Sequence, residues 1–226
     1  MTNKIGDVIE IIEREPEIYE ILKHCPYEVL KEMSVVRSRT GEFVLSQGNV
    51  YDSFYIVVSG LVGIYVMAEN GRKYTLTVYK KGNYIGEHEI FDLKPYSSFV
   101  EAISDVVLLE LKREPFLKWL SLDRNISDSI TRSLCRQIYL LAQKAGTDTL
   151  YSLRQRICQY LVAAPGKDGK VAVDKENLSE LMGVTPRSIN RILKSLREEG
   201  LIDVTNSSIV IRNRNALKQE SEIKNA

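Results

Sequence analysis

Four side chains near the C-terminal end of the 226-residue sequence, Arg187, Asn190, Arg191 and Lys194, recur at i, i+3, i+4 and i+7, the spacing that places them on one face of a helix. Two guanidinium forks and an amide can hydrogen-bond base edges, and an ammonium can neutralise phosphate. The pattern offers recognition of duplex DNA. Arg187, Asn190 and Arg191 are the expected base-edge groups, and Lys175, Thr185, Ser188 and Lys194 the expected phosphate groups. A helical hairpin with a solvated charged face is the plainer alternative for the same residues.

Glu87, His88 and Glu89 put metal-ligand and acid–base types at three consecutive positions, which would suit a cupin-like metalloenzyme. Strand alternation would turn Glu87 and Glu89 to one side and His88 to the other. With His24 the chain holds only two histidines, too few for the His-rich sets that zinc or non-haem iron catalysis uses. No metal site and no catalytic residue are expected, and the chain is not read as an enzyme. Cys25, Cys135 and Cys158 lie far apart with no CxxC spacing and are expected to be small buried hydrophobes. Cys135 would be the handle if a thiol redox switch operated.

The basic face needs a rigid mount, and the flanking residues supply one. Asp174 can cap a first helix carrying Leu178, Leu181 and Met182, and Gly183 ends it at a corner. Thr185 and Pro186 then start a second helix whose buried stripe is Ile189, Ile192, Leu193 and Leu196. This is the layout of a helix-turn-helix. Leu153 to Val162 reads as a preceding helix, AAPGKDGK as a loop and Val171 to Val173 as a short strand. Leu201 to Val204 and Ile209 to Ile211, joined through Thr205-Asn206-Ser207-Ser208, read as a hairpin and make the domain winged. The tail from Leu217 is polar and expected to fray.

Upstream, residues 5 to 36 read as helical, broken at Pro16 and Pro26. The apolar period then changes to 2, with strands expected at Glu42 to Leu45, Ser53 to Val58, Leu61 to Met67, Lys73 to Tyr79, Ser98 to Ile103 and Val106 to Leu111. Asn70-Gly71 marks a hairpin turn. Evenly spaced turns indicate an antiparallel barrel or jelly roll. Tyr55, Tyr65, Tyr74, Tyr79, Tyr84, Phe91 and Phe99 are available to fill it. A long helix is expected from about Ile126 to Ala145, where Ile130, Leu134, Ile138, Leu141 and Ala145 form a narrow stripe. Such a stripe suits the same helix of a second copy, giving a homodimer, with packing on the chain's own barrel as the alternative. Gly146 to Tyr151 is expected to be a hinge.

The fold class is thus α+β: an antiparallel β-roll over 1–115, a long dimerisation helix over 116–146 and a winged helix-turn-helix over 147–226. Hydrophobic residues at 44% and charged residues at 27% describe a globular chain with a substantial core. Residues 1–150 hold 18 Lys/Arg against 21 Asp/Glu and residues 151–226 hold 13 against 9, so −3 precedes +4, and the positive part carries the basic helix. The acidic N-terminus lacks a signal-peptide core and no long apolar run occurs, so a cytoplasmic protein without a membrane partner is expected.

In this order the elements resemble the Crp/Fnr family of bacterial transcription regulators. The likeness rests on Ser59-Gly60, Gly71, Gly82 and Ile85-Gly86-Glu87 in the β-roll, on GVTPRSINRILKSLREEGLI in the second helix, and on LIDV and SSIVI in the wing. It implies a dimeric, sequence-specific DNA-binding regulator with an effector pocket around Gly86, Glu87, Tyr96, Ser97 and Leu141, and RNA polymerase as a further partner for members that activate. In cyclic-AMP-binding members an Arg-Ser pair holds the cyclic phosphate; here that position is Tyr96-Ser97, and the hydroxyl residues that meet adenine fall near Leu141 and Ala142. Cyclic AMP is therefore not expected. The cysteine cluster of iron–sulfur members is absent, and haem is not supported. A thiol redox sensor and an effector-independent regulator remain alternatives within the family. The family's Arg-Glu start of the second helix is replaced by Pro186-Arg187, while Arg191 is kept, which exchanges an acceptor for cytosine for a donor fork suited to guanine.

Overall fold

Prolines at 16 and 26 divide the first thirty residues of the computed structural model into α1 (Lys4–Arg14), α2 (Pro16–Leu22) and α3 (Tyr27–Leu30). The structure describes residues 4–164, 170–205 and 208–222. Pro16 starts α2 at its first position, where the missing N–H costs nothing. The expected helical run stops early, because β1 (Ser34–Ser38) follows at once.

Next come β2 (Phe43–Leu45), β3 (Ser53–Ser59), β4 (Val62–Met67), β5 (Lys73–Tyr79), β6 (Tyr84–Ile85), α4 (Glu89–Asp92), β7 (Phe99–Ala102) and β8 (Val106–Lys112). They form two antiparallel sheets, ordered β1-β8-β3-β6 and β2-β7-β4-β5. Strand β3 is buried at six successive positions because it is covered on both faces. Phe54, Ile56 and Val58 pack outward with Val8, Ile18, Trp119 and Ile126, whereas Tyr55 and Val57 pack inward with Leu45, Ile64, Val100 and Leu108. Each such side chain contributes about 1.5 to 3 kcal/mol by leaving water. Of the aromatic residues expected to fill the roll, Tyr55, Tyr65 and Tyr84 are buried, but Phe91 is exposed at a helix turn.

Two helices follow: α5 (Arg113–Leu122), which tolerates Pro115 because it falls in the first turn, and α6 (Arg124–Leu150). The expected hinge is displaced. Helix α6 runs through Gly146, and the chain bends only at Tyr151 and Ser152. The expected dimer stripe is also divided. Ile130 is fully buried and Leu134 packs beside it, both against the core of Phe54, Phe116 and Trp119, so Ile130 cannot face a second copy. Ile138, at 67% exposed, and Leu141, at 49%, stay open, and Ala145 is exposed as well.

The rest comprises α7 (Leu153–Ala163), β9 (Lys170–Ala172), α8 (Lys175–Met182), α9 (Pro186–Glu198), β10 (Ile202–Val204), β11 (Ser208–Ile211) and α10 (Arg214–Glu220). The loop centred on Pro165–Gly169 and the turn at Asn206-Ser207 lie outside the described residues. The tail does not fray at Leu217. Asn213 caps α10 through Ala216 N–H, and Leu217 is fully buried in the core with Ile157, Leu161, Leu193 and Ile202. By contact the chain divides into two units: residues 1–66 with 76–139, and residues 67–75 with 140–226. No helix among the described residues is long and apolar enough to cross a membrane.

Candidate nucleic-acid interface

Helix α8 begins where Asp174 accepts a hydrogen bond from Glu176 N–H at 2.9 Å, and it ends at Gly183, whose φ is +65°. That left-handed cap turns the chain sharply, and space requires glycine as well: a Cβ at 183 would lie 2.8 Å from the Tyr74 ring. Thr185 then caps α9 by accepting from Ser188 N–H at 3.3 Å, with Pro186 first in the helix. Ile189, Leu193 and Leu196 are buried, and Ile192 is half-buried beside them.

This seats the helix with its other face outward. Arg187, Asn190, Arg191 and Lys194 are exposed and, with Ser188, line one shallow open hollow. The side chains of Arg187, Asn190 and Arg191 make no hydrogen bond or ion pair with the described residues. Lys194 has Glu198 one turn on at 3.7 Å, an exposed pair worth a few tenths of a kcal/mol at most. Lys175 is half-buried in the first turn of α8.

The orientation of α9 is fixed by Arg154 on α7. Its guanidinium reaches Glu199 at 2.6 Å, Glu220 at 2.8 Å and Ser195 Oγ at 3.0 Å, tying three helices through one planar fork. Behind the wing, β9 joins the expected hairpin to make a three-stranded sheet, β10-β11-β9. Tyr74, expected in the roll, belongs to the second unit. Its hydroxyl donates to Asp148, Lys144 Nζ sits 4.6 Å from its ring centre, and Asp148 pairs with Arg156 at 2.6 Å. Burial and the Asp148 carboxylate both push the Tyr74 phenol well above its ordinary range.

The second candidate site lies in the roll. Gly86 and Glu87 are buried, and Tyr96 is buried with them; Ser97 is exposed, and Ser98 is the buried hydroxyl instead. Leu141, expected to line the same pocket, is counted with the other unit. Glu87 and Glu89 are buried and His88 exposed, but the cause is a turn entering α4 rather than strand alternation. Glu87 Oε1 accepts from Gln137 Nε2 at 2.5 Å, and His88 Nε2 lies 2.9 Å from Glu89 Oε1. Burial pushes the Glu87 carboxyl above its ordinary range, and the Gln137 hydrogen bond opposes this.

The sign of that shift gives a test. A carboxyl raised in the folded state costs nothing while both states are protonated, and the cost develops as pH rises from the unfolded pKa of about 4.3 through the folded one. Glu87→Gln keeps an acceptor for Gln137 and removes the charge. It is expected to raise the thermal midpoint at neutral pH and to leave it unchanged below the unfolded value, read in melts across pH. Equal midpoints for both proteins at every pH would refute it.

Among the described residues no group of three His, Cys, Asp or Glu side chains is placed to hold a metal. Cys158 is buried and its thiol pushed up to about 11 by burial; Cys25 is half-buried and pushed up to about 12. Cys135 does not share this burial: it is exposed on α6.

Residues 35–123 match the family described as Cyclic nucleotide-binding domain, and residues 155–220 match the Crp-like helix-turn-helix domain. The cAMP-activated global transcriptional regulator CRP of Salmonella typhimurium is 22% identical over 206 residues, 87% of this chain and 94% of that protein. The CRP-like cAMP-activated global transcriptional regulator of Mycobacterium tuberculosis is 26% identical over 190 residues, 80% of this chain and 85% of that protein. In fold, the chain is similar to the c-di-GMP responsive global regulator CLP of Xanthomonas campestris, with a TM-score of 0.71 at 22% identity over 87% of this chain and 98% of that one. With both domain families present in this order, a two-sheet β-roll and a capped helix-turn-helix, the chain belongs to the Crp/Fnr family of transcription regulators.

Proposed function

We propose that the chain acts as a homodimer that reads a pseudo-palindromic duplex site, with Arg187, Asn190 and Arg191 of each copy at base edges and Lys175, Thr185, Ser188 and Lys194 at phosphates. The observation that carries this is the outward face of α9, where two guanidiniums and an amide stand exposed with their donors unused by the described residues. The helix that carries these groups is already capped and ordered, so meeting a groove costs little backbone freedom. Ile138 and Leu141, apolar and open on α6, support the second copy, since a monomer gains nothing by exposing them in one stripe.

Control would come from the roll by population shift, with a ligand favouring one arrangement of the α6 pair. Cyclic AMP is the activator named for the relatives, and its phosphate would meet the Tyr96 phenol and two buried carboxylates in place of a guanidinium. Anion binding there is disfavoured. The effector we propose is not cyclic AMP, and iron–sulfur and haem cofactors have no part in it.

Selection from a random duplex pool tests the reading directly. The expected product is a two-fold symmetric site with half-sites one DNA turn, roughly 34 Å, apart. Enrichment of no sequence, or of a site without symmetry, would overturn it.

A further inference from the structure

The β-roll holds a buried polar cluster whose chemistry differs from that of an anion pocket. Glu87 and Glu89 are 1% and 4% exposed, and Tyr96 is 3% exposed. Tyr96 Oη and Glu89 Oε2 find no hydrogen-bond partner among the described residues. Buried polar atoms in native proteins are nearly always paired, with protein, ordered water or ligand. An unpartnered oxygen on a buried carboxylate is the more demanding of the two, because it carries charge.

Three observations place these atoms in one site, and a fourth shows that no lysine or arginine among the described residues serves its carboxylates. The Tyr96 hydroxyl points at Gly86, so closely that a Cβ there would lie 2.2 Å from it. The Tyr96 ring packs edge-on against Tyr51 at 5.3 Å between centres. Glu87 and Glu89 both act on the phenols of Tyr79 and Tyr96 through space, and Tyr55 and Tyr51 act on Tyr96 as well. Neither Glu87 nor Glu89 forms an ion pair with a lysine or arginine in the described residues; the base facing Glu89 is His88, at the surface.

Two buried carboxylates beside tyrosine side chains are complementary to an organic cation. The carboxylates supply charge and paired acceptors, and a tyrosine ring presented to the ligand would add the quadrupole that attracts an ammonium or guanidinium. We propose that the β-roll site binds a small organic cation, with Glu89 as its main anchor, Glu87 as a second and the Tyr96 hydroxyl as an acceptor. This rests on the regulator reading above and names the ligand class of its sensor site. A cation entering must displace the Tyr96 ring from Gly86, and that ring shift is the signal the roll would pass on.

The test uses the full-length protein with agmatine, spermidine and choline as probes and cyclic AMP as comparator, followed by thermal unfolding and calorimetric titration. At least one cation is expected to raise the thermal midpoint and to titrate at one site per chain, with cyclic AMP without effect. Glu89→Gln is expected to weaken that cation by about tenfold or more, since it removes the anchoring charge and keeps the shape. Tyr96→Phe, which keeps the ring, is expected to weaken it by a smaller factor. Absence of binding by all three cations, binding of cyclic AMP in their place, or unchanged affinity in a folded Glu89→Gln protein would overturn the proposal. The duplex selection separates the two readings. A symmetric DNA site with no cation bound removes only the ligand class, and cation binding with no DNA site selected removes only the regulator reading.

Discussion

Arg191→Ala is expected to abolish most of the chain's preference for its selected site while leaving its affinity for random duplex nearly intact. A guanidinium that reaches base edges with two donors is worth about 1 to 3 kcal/mol per half-site, and a homodimer would lose it twice. The loss on the selected site would then be about 2 to 6 kcal/mol, or roughly thirtyfold to twenty-thousandfold, against a small change on random sequence from one fewer charge per copy. Arg191→Lys is the decisive control, because it keeps the charge and loses the fork. Both variants should unfold at the wild-type midpoint, since Arg191 is exposed and holds nothing in the described structure. Gel-shift titrations on selected and scrambled duplexes read the difference. Equal losses on both would remove Arg191 from the base-reading set.

Gly86→Ala is expected to destabilise the roll strongly. At φ +84° an alanine is strained wherever it sits, at a cost of about 1 kcal/mol. Here its Cβ would also lie 2.2 Å from Tyr96 Oη and 2.8 Å from the Ser53 carbonyl. The carbonyl belongs to β3 and cannot retreat, so the Tyr96 ring must move against Tyr51. Overpacking of this kind adds about 1 to 3 kcal/mol. For a chain of this size the total corresponds to a drop in thermal midpoint on the order of 10 °C. Gly48→Ala supplies the comparison, with φ +84° and no atom within 4 Å of its Cβ. If the two variants melted alike, close packing at Gly86 would contribute nothing.

The reading helix was legible because everything that places it is local. Asp174, Gly183, Thr185 and Pro186 each act within four residues, and the buried stripe follows from helical period alone. What failed was non-local. The segment SVVRS gives no alternation strong enough to mark β1, which exists because β8 is beside it. The expected long helix began only at Ile126, and the separate helix α5, with Pro115 in its first turn, was not expected. The stripe on α6 was seen correctly, but periodicity reports only that a face will be covered, not by what, and the core claims Ile130 while Ile138 and Leu141 stay open. Gly146 misled because one glycine costs a long helix only about 1 kcal/mol. Glu87 was recognised through its neighbours, whereas the unpaired oxygens of Glu89 and Tyr96 follow from packing that no spacing rule contains.

The hydrogen bond from Tyr74 to Asp148 joins residues 74 positions apart, and it puts a hairpin tip against the glycine corner of the reading domain. A fragment starting at Leu140 would thus be a topologically incomplete object: it carries all of the reader's helices but lacks the tyrosine that covers Gly183 and engages Asp148. Closing a loop of that length carries an entropic cost that local helix contacts do not. In the intact chain, then, the reading domain reaches its final form only with residues 67–75 in place.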